Sequence, residues 1–383
     1  MRPWPTRCVD MTDKQDIRTL SAKALPSGVL RLDFDPDVAF QKELQRRVDE
    51  YFKASGRSKQ GALGLYMKTA LILAFFAASY LLLVFAAQNL WQGLALVIVL
   101  GIMTALIGFN IQHDGGHQAF SRHAWVNRVA AMTLDLVGRS SYVWHWKHTV
   151  IHHRYVNITW FDNDINLGAL ARVSPHHQRL WYYRWQHLYL WPLYALDAPK
   201  MQLVDDFKYL IRGRLGYHRI PRPDGWELVL FIVGKIIFFG WVFVIPMLFH
   251  PWRVVLFYYA VGGSVLGVLI VVIFVLPHMV EEADFPLPQP DTRRMAMPWA
   301  VHQAQSTLDF ARHNRVLTWL LGGLNYHKEH HLFPLICHTN YPAISKLVEE
   351  TCRDFAILYK EYESFWEGIV AHYRWLRRMG TAD

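Results

Sequence analysis

Cysteine is nearly missing from this chain of 383 residues: Cys8, Cys337 and Cys352 stand far apart, and none belongs to a CxxC pair. That excludes a disulfide framework and indicates a reducing compartment on the side where these residues lie. An apolar stretch near the start is also missing, because Arg2, Arg7, Asp10, Asp13, Lys14 and Asp16 interrupt it. A cleaved signal peptide is therefore not expected. Neither HExxH nor HxxEH occurs, and Glu329 lies between histidines at the wrong offset for either, which disfavours a zinc protease. No low-complexity linker divides the chain.

Apolar and aromatic residues are abundant instead. The chain is 52% hydrophobic, with 16 Trp, 18 Tyr and 22 Phe, so water is not its only solvent. Residues 69–87 and 90–111 are apolar runs long enough to cross a bilayer as helices, separated only by Gln88 and Asn89. Residues 226–249 and 254–276 form a second pair around His250-Pro251-Trp252-Arg253. The expected fold is an all-α integral membrane protein with four transmembrane helices in two hairpins.

The formal charge is +9, and the N-terminal segment, residues 112–225 and the C-terminus are rich in Lys and Arg, while the short turns carry almost none. By the positive-inside rule those three segments, and both termini, are expected in the cytoplasm. Basic residues interleaved with Trp and Leu fit a membrane surface, an acidic substrate or a redox partner, and no nucleic-acid partner is expected. In Trp181-Tyr182-Tyr183-Arg184-Trp185 and Leu188-Tyr189-Leu190-Trp191 this mixture reads as a helix at headgroup level. Residues 1–37 read as irregular, and Phe40, Leu44, Val48, Tyr51 and Phe52 mark an amphipathic surface helix. Lys235, near mid-span, is expected to face the bundle interior or a watery recess.

Histidine carries the chemistry. His113 and His117 stand at i, i+4 just after the second span; His148 and His152 repeat that spacing with His153 beside them; His327, His330 and His331 fall at i, i+3 and i+4. On helices these offsets share a face, and all three clusters lie on the expected cytoplasmic side, in a histidine-rich helical cap. Eight imidazoles exceed what one metal uses, so two metals are implied; imidazole suits Fe, Zn, Cu and Ni alike. His123, His145, His176, His177, His187, His302, His313 and His338 are scattered and read as non-ligating.

Further phrases accompany the clusters: His152-His153-Arg154-Tyr155-Val156-Asn157-Ile158, Asp162-Asn163-Asp164-Ile165, Val280-Glu281-Glu282-Ala283-Asp284-Phe285-Pro286, and the run Gly322 to Pro334 followed by Cys337-His338 and Tyr341-Pro342. On these, the chain from about Val38 to its C-terminus resembles the membrane fatty acid desaturases, and within them bacterial acyl desaturases related to front-end, linoleoyl-CoA type enzymes. Residues 38–383 would then form one such domain.

The resemblance implies a non-haem centre of two Fe ions held by the eight histidines, with His278 as a ninth ligand. It also implies O2 as co-substrate and a fatty acyl chain, as CoA thioester or lipid ester, as the molecule oxidised. Asp114, Asp162 and Asp164 are candidates for orienting ligand imidazoles. A lipid hydroxylase, ketolase or oxidative decarboxylase would share this site, and a metal or haem transporter is a rival of another class. Front-end relatives usually have Gln at the place of His327, so double-bond position stays open. Val275, where the family often has Gln, and Pro277 also depart from its pattern. No His-Pro-Gly-Gly phrase occurs, so a fused cytochrome b5 domain is not expected. Electrons would come from an external donor such as ferredoxin, or a separate cytochrome b5 with its reductase. An integral, multi-pass place in a bacterial inner membrane follows from this reading.

Overall fold

A computed structural model describes residues 8–9, 29–292 and 294–381, and these are mostly helical. Four helices are long and apolar enough to cross a membrane: Leu63–Phe85, Leu90–Gly116, Gly225–Met247 and Trp252–Val275. Their outward faces explain the composition. Val229, Ile232, Val233 and Ile236 of the third helix are exposed at helical spacing, a face that only lipid would cover.

The helix bounds differ from the expected spans at the first and second helices. The first begins at Leu63, not Thr69, because Leu65 and Lys68 are both buried and continue its inner face. The second starts where Asn89 caps it, its side chain accepting from the Gln92 backbone N–H at 3.0 Å. It then runs past residue 111 to Gly116, through a π-helical turn at Gly108–Gln112. This second helix is the central one: 56% of its apolar window is buried, against 22% for the first. It packs on both the first and the fourth. At Gly101 a side chain would meet the Gly262 carbonyl at 2.8 Å, so only glycine allows that approach of the second and fourth helices.

Lys235 faces inward. Its Nζ donates to the Gly138 and Gln202 carbonyls at 2.7 and 3.0 Å and to Asp206 Oδ2 at 2.7 Å. The third helix is thereby tied to the segment between the second and third spans. In that segment Trp181–Trp185 forms a 3-10 turn and Gln186–Tyr194 a helix, with Trp181 and Leu188 exposed. Gln186 is buried and donates to the Arg172 and Leu376 carbonyls, which fixes this segment against the last helix, Phe365–Thr381.

The expected irregular segment 1–37 lies largely outside the described residues. Its described end, Asp33–Asp35, pairs in parallel with Arg294–Pro298. The amphipathic helix spans Ala39–Ser55 and buries Phe40, Leu44, Val48 and Phe52 against the helices Trp299–Ser306 and Tyr341–Asp354.

Candidate metal centre

Four parts of the chain bring histidines together. The extension of the second span carries His113 and His117, whose ring centroids lie 4.8 Å apart. The second cluster sits on a π-helix, His145–His152, followed directly by the turn His153–Tyr155. The wider π-helical turn places residues at both i+4 and i+5 near the starting side chain. His148 Nε2 therefore meets His153 Nε2 at 3.2 Å, while its ring also stacks on His152 at a centroid distance of 5.4 Å.

The third cluster occupies the helix His327–Leu332, preceded by Gly322 and Gly323 with φ of +59° and +70°. A side chain at Gly322 would lie 2.3 Å from the Phe109 carbonyl. Glycine thus lets this turn seat itself against the second span and aim the helix at its histidines. His278 stands in the turn after the fourth span, where Leu308 N–H donates to the Pro277 carbonyl at 3.0 Å. Its Nε2 lies 2.9 Å from His327 Nε2.

The rings fall into two overlapping groups. His113, His117, His148 and His330 each bring one ring nitrogen within 4.8 Å of the others, and so do His152, His278 and His331. His153 lies between them, with ring centroids 4.5 Å from His330 and 4.3 Å from His331.

Most rings are held by their outer nitrogen. Nδ1 faces the Leu324 carbonyl in His327 (3.0 Å), Gln303 Oε1 in His331 (2.9 Å), Tyr341 Oη in His330 (3.3 Å), the Ser306 carbonyl in His278 (3.4 Å) and Asp162 Oδ2 in His152 (3.1 Å). Such contacts fix the tautomer that leaves Nε2 free to ligate. The Nε2 atoms of His113, His117, His330 and His331 are buried with no hydrogen-bond partner. Each orphan costs about 1–3 kcal/mol unless something answers it, and a metal ion would answer several at once.

Protonation agrees with this role. Burial, with neighbouring imidazoles adding to it, pushes His148, His153, His278, His330 and His331 well below the ordinary histidine range. Burial takes His327 down to about 3. His152 moves the other way: burial opposes its charge, but Asp162 and Asp164 outweigh that and raise it. Neutral imidazole is the ligating form. The donor set therefore fits two metal ions that favour imidazole.

The three aspartates have different surroundings. Asp162 is on His152; Asp164 pairs with Lys147 at 2.6 Å and lies 3.5 Å from His152 Nδ1. Asp114 faces away from the ligand rings, accepting from His338 Nδ1 at 2.7 Å and Cys337 Sγ at 3.1 Å. Sequence reasoning missed Gln303, which no pattern marks, and Tyr341, whose signal was its place in the Tyr341-Pro342 phrase.

A cavity of about 860 Å³ opens on the cage at His148, His152 and His278. Its lining is apolar at Leu190, Leu193, Ile270, Val271 and Phe274 and charged at Arg139, Lys147, Asp162, Asp164, Lys200 and Asp205. The volume and lining suit a long apolar molecule with a polar end.

Comparison with known proteins agrees with this geometry. The family model described as fatty acid desaturase matches residues 88–363. The sn-1 linoleoyl-lipid 6-desaturase of Arthrospira platensis is 35% identical over 93% of this chain and 96% of its own length. The enzyme of the same name from Synechocystis sp. is 34% identical over 92% and 99%. An acyl-lipid (8-3)-desaturase of Physcomitrium patens is 32% identical over 90% of this chain and 72% of its own.

Proposed function

The chain belongs to the fatty acid desaturase family, and from that premise we propose that it inserts a double bond into a fatty acyl chain at a centre of two irons. The observation that carries this reading is the buried cage of nine imidazoles, with orphaned Nε2 atoms, at the end of an apolar cavity.

His113, His117, His148 and His330 would hold one iron and His152, His278 and His331 the other, with His153 and His327 completing the set. Bound there, two irons would supply the oxidising chemistry: with O2, two electrons and two protons, two hydrogens leave adjacent acyl carbons and two waters form. The protein's residues do the rest. Leu190, Leu193 and Phe274 in the cavity wall would lie along an extended acyl chain. Binding along that wall sets which carbons reach the cage. Asp162, Gln303 and Tyr341 keep rings oriented through their outer nitrogens.

Four apolar helices support an integral membrane location, and the distribution of basic residues supports a cytoplasmic cage and termini, in a bacterial inner membrane. Electrons would come from an external donor, a ferredoxin or a cytochrome b5 with its reductase. The test is the product mass after supplying acyl lipids to a host expressing the chain. Loss of two hydrogens is expected; gain of one oxygen would assign a hydroxylase, and an unchanged acyl chain would overturn the proposal.

A further inference from the structure

Of the five cage rings held through Nδ1, His278 has the longest contact, 3.4 Å to the Ser306 carbonyl. Its place therefore depends on the backbone of the turn that carries it. Past the end of the fourth span, three successive carbonyls each accept from a different part of the chain: Pro277 from the Leu308 N–H at 3.0 Å, His278 from Asn157 Nδ2 at 2.8 Å, and Met279 from His372 Nδ1 at 2.7 Å. The first donor is backbone, and the second follows the second histidine cluster by a few residues. The third reaches in from the last helix, 93 residues away in sequence.

His372 is wholly buried, and its other nitrogen is engaged as well: Nε2 lies 2.7 Å from Tyr194 Oη. A carbonyl can only accept, so Nδ1 carries the proton. Burial takes His372 down to about 4, which keeps the ring neutral, so Nε2 accepts from the tyrosine hydroxyl. Tyr194, His372 and the Met279 carbonyl thus form an ordered chain with one tautomer and one ring orientation. Both of its ends reach the cavity, since Tyr194 and Met279 line the wall beside His278. Docking of the last helix does not require this link. Trp375, three residues on, ties the helix to the Val173 carbonyl at 2.9 Å and stacks on Phe285 at a centroid distance of 5.0 Å.

We propose that His372 is a positioning residue of the metal centre: it fixes the turn that aims His278 at the iron shared with His152 and His331, and Tyr194 in turn fixes His372. This rests on reading the cage as a centre of two irons. No atom of His372 touches the metal, so its effect passes through His278.

The test is iron binding by the purified, iron-loaded full-length protein in detergent, measured by competition with a chelator and without turnover. His372→Phe keeps an aromatic ring but makes neither hydrogen bond; one of the two irons is expected to bind about 10-fold more weakly and the other as in the native protein. His372→Gln, whose amide can donate to the carbonyl and accept from the hydroxyl, should restore most of that affinity. Tyr194→Phe removes only the hydroxyl and should weaken the same iron by less; it decides the matter should His372→Phe not fold. His372→Phe combined with His278→Ala should bind that iron no more weakly than His278→Ala alone, because the one acts through the other. Trp375→Phe, which loosens the same helix elsewhere, should lower the melting temperature and leave both irons in place. Native affinities in His372→Phe and Tyr194→Phe, equal weakening of both irons, additive effects in the double variant, or iron loss in Trp375→Phe would each overturn the assignment and leave the two-iron reading standing. A native protein that never holds a second iron would overturn that reading, and this assignment with it.

Discussion

Lys235 and the histidine cage are both polar groups enclosed in a largely apolar protein, yet Lys235 is answered on every side and the cage is not. Lys235 Nζ reaches two carbonyls and Asp206, and Asp206 Oδ2 also accepts from the Ser140 backbone N–H at 2.7 Å. In the cage five rings have Nδ1 answered, while the Nε2 atoms of His113, His117, His330 and His331 are buried with no hydrogen-bond partner. A protein pays this penalty only where something else completes the network. The comparison separates a polar cluster completed within the fold from one whose unanswered Nε2 atoms fit metal ions.

The contrast can be broken most sharply at the cage. His330→Ala removes a ring that neighbours both groups, and turnover is expected to fall by more than about 1000-fold with loss of bound iron, while the helical content and melting of the metal-free protein hold. Measuring iron content, activity and circular dichroism together checks this. Lys235→Met should do the reverse. It leaves the buried Asp206 without its cation and is expected to lower stability by about 3–5 kcal/mol, read as a large drop in melting temperature in detergent. Adding Asp206→Leu should restore part of it; a double variant no better than the single would contradict the pairing.

Asp162→Asn probes the border between the two kinds of cluster, since that carboxylate is structural but faces a ligand ring. Iron affinity is expected to weaken about 10–100-fold, with little loss of fold stability, as measured by competition with a chelator.

The smallest effect is a pH dependence away from the metal. Burial lowers His218 and His372 to about 4. Between that value and the ordinary one near 6.5, the unfolded chain binds more protons than the folded one. Stability is therefore full above about pH 6.5 and lost as pH falls toward 4, by about 1.4 kcal/mol for each group at pH 5.5. Melting temperatures of the iron-loaded protein, in which the cage imidazoles are held by metal, should decline from pH 7.5 to 5.5, and the decline should shrink in a His218→Gln variant.

Much of this was legible in the residues. Four apolar runs of bilayer length, and histidines at i, i+4, carry their meaning in local spacing. What stayed hidden depends on winding or on distance. The 3.2 Å approach of His148 to His153 is at i+5, which an α-helix would not bring together and the π-helix does. The start of the first helix was obscured by Lys68, whose charge reads as a boundary with water. It is buried, 3.3 Å from His338 and over the ring of Trp319. Gln303 and Asp206 are ordinary residues in sequence, and only the fold sets one on His331 and the other under Lys235.

The central claim is that these imidazoles form one enclosed site for two irons. Counting iron per chain by elemental analysis, on protein purified from an iron-supplied host, tests it most directly. Two irons per chain are expected, falling below two in His330→Ala; an active protein holding one iron or none would contradict the account.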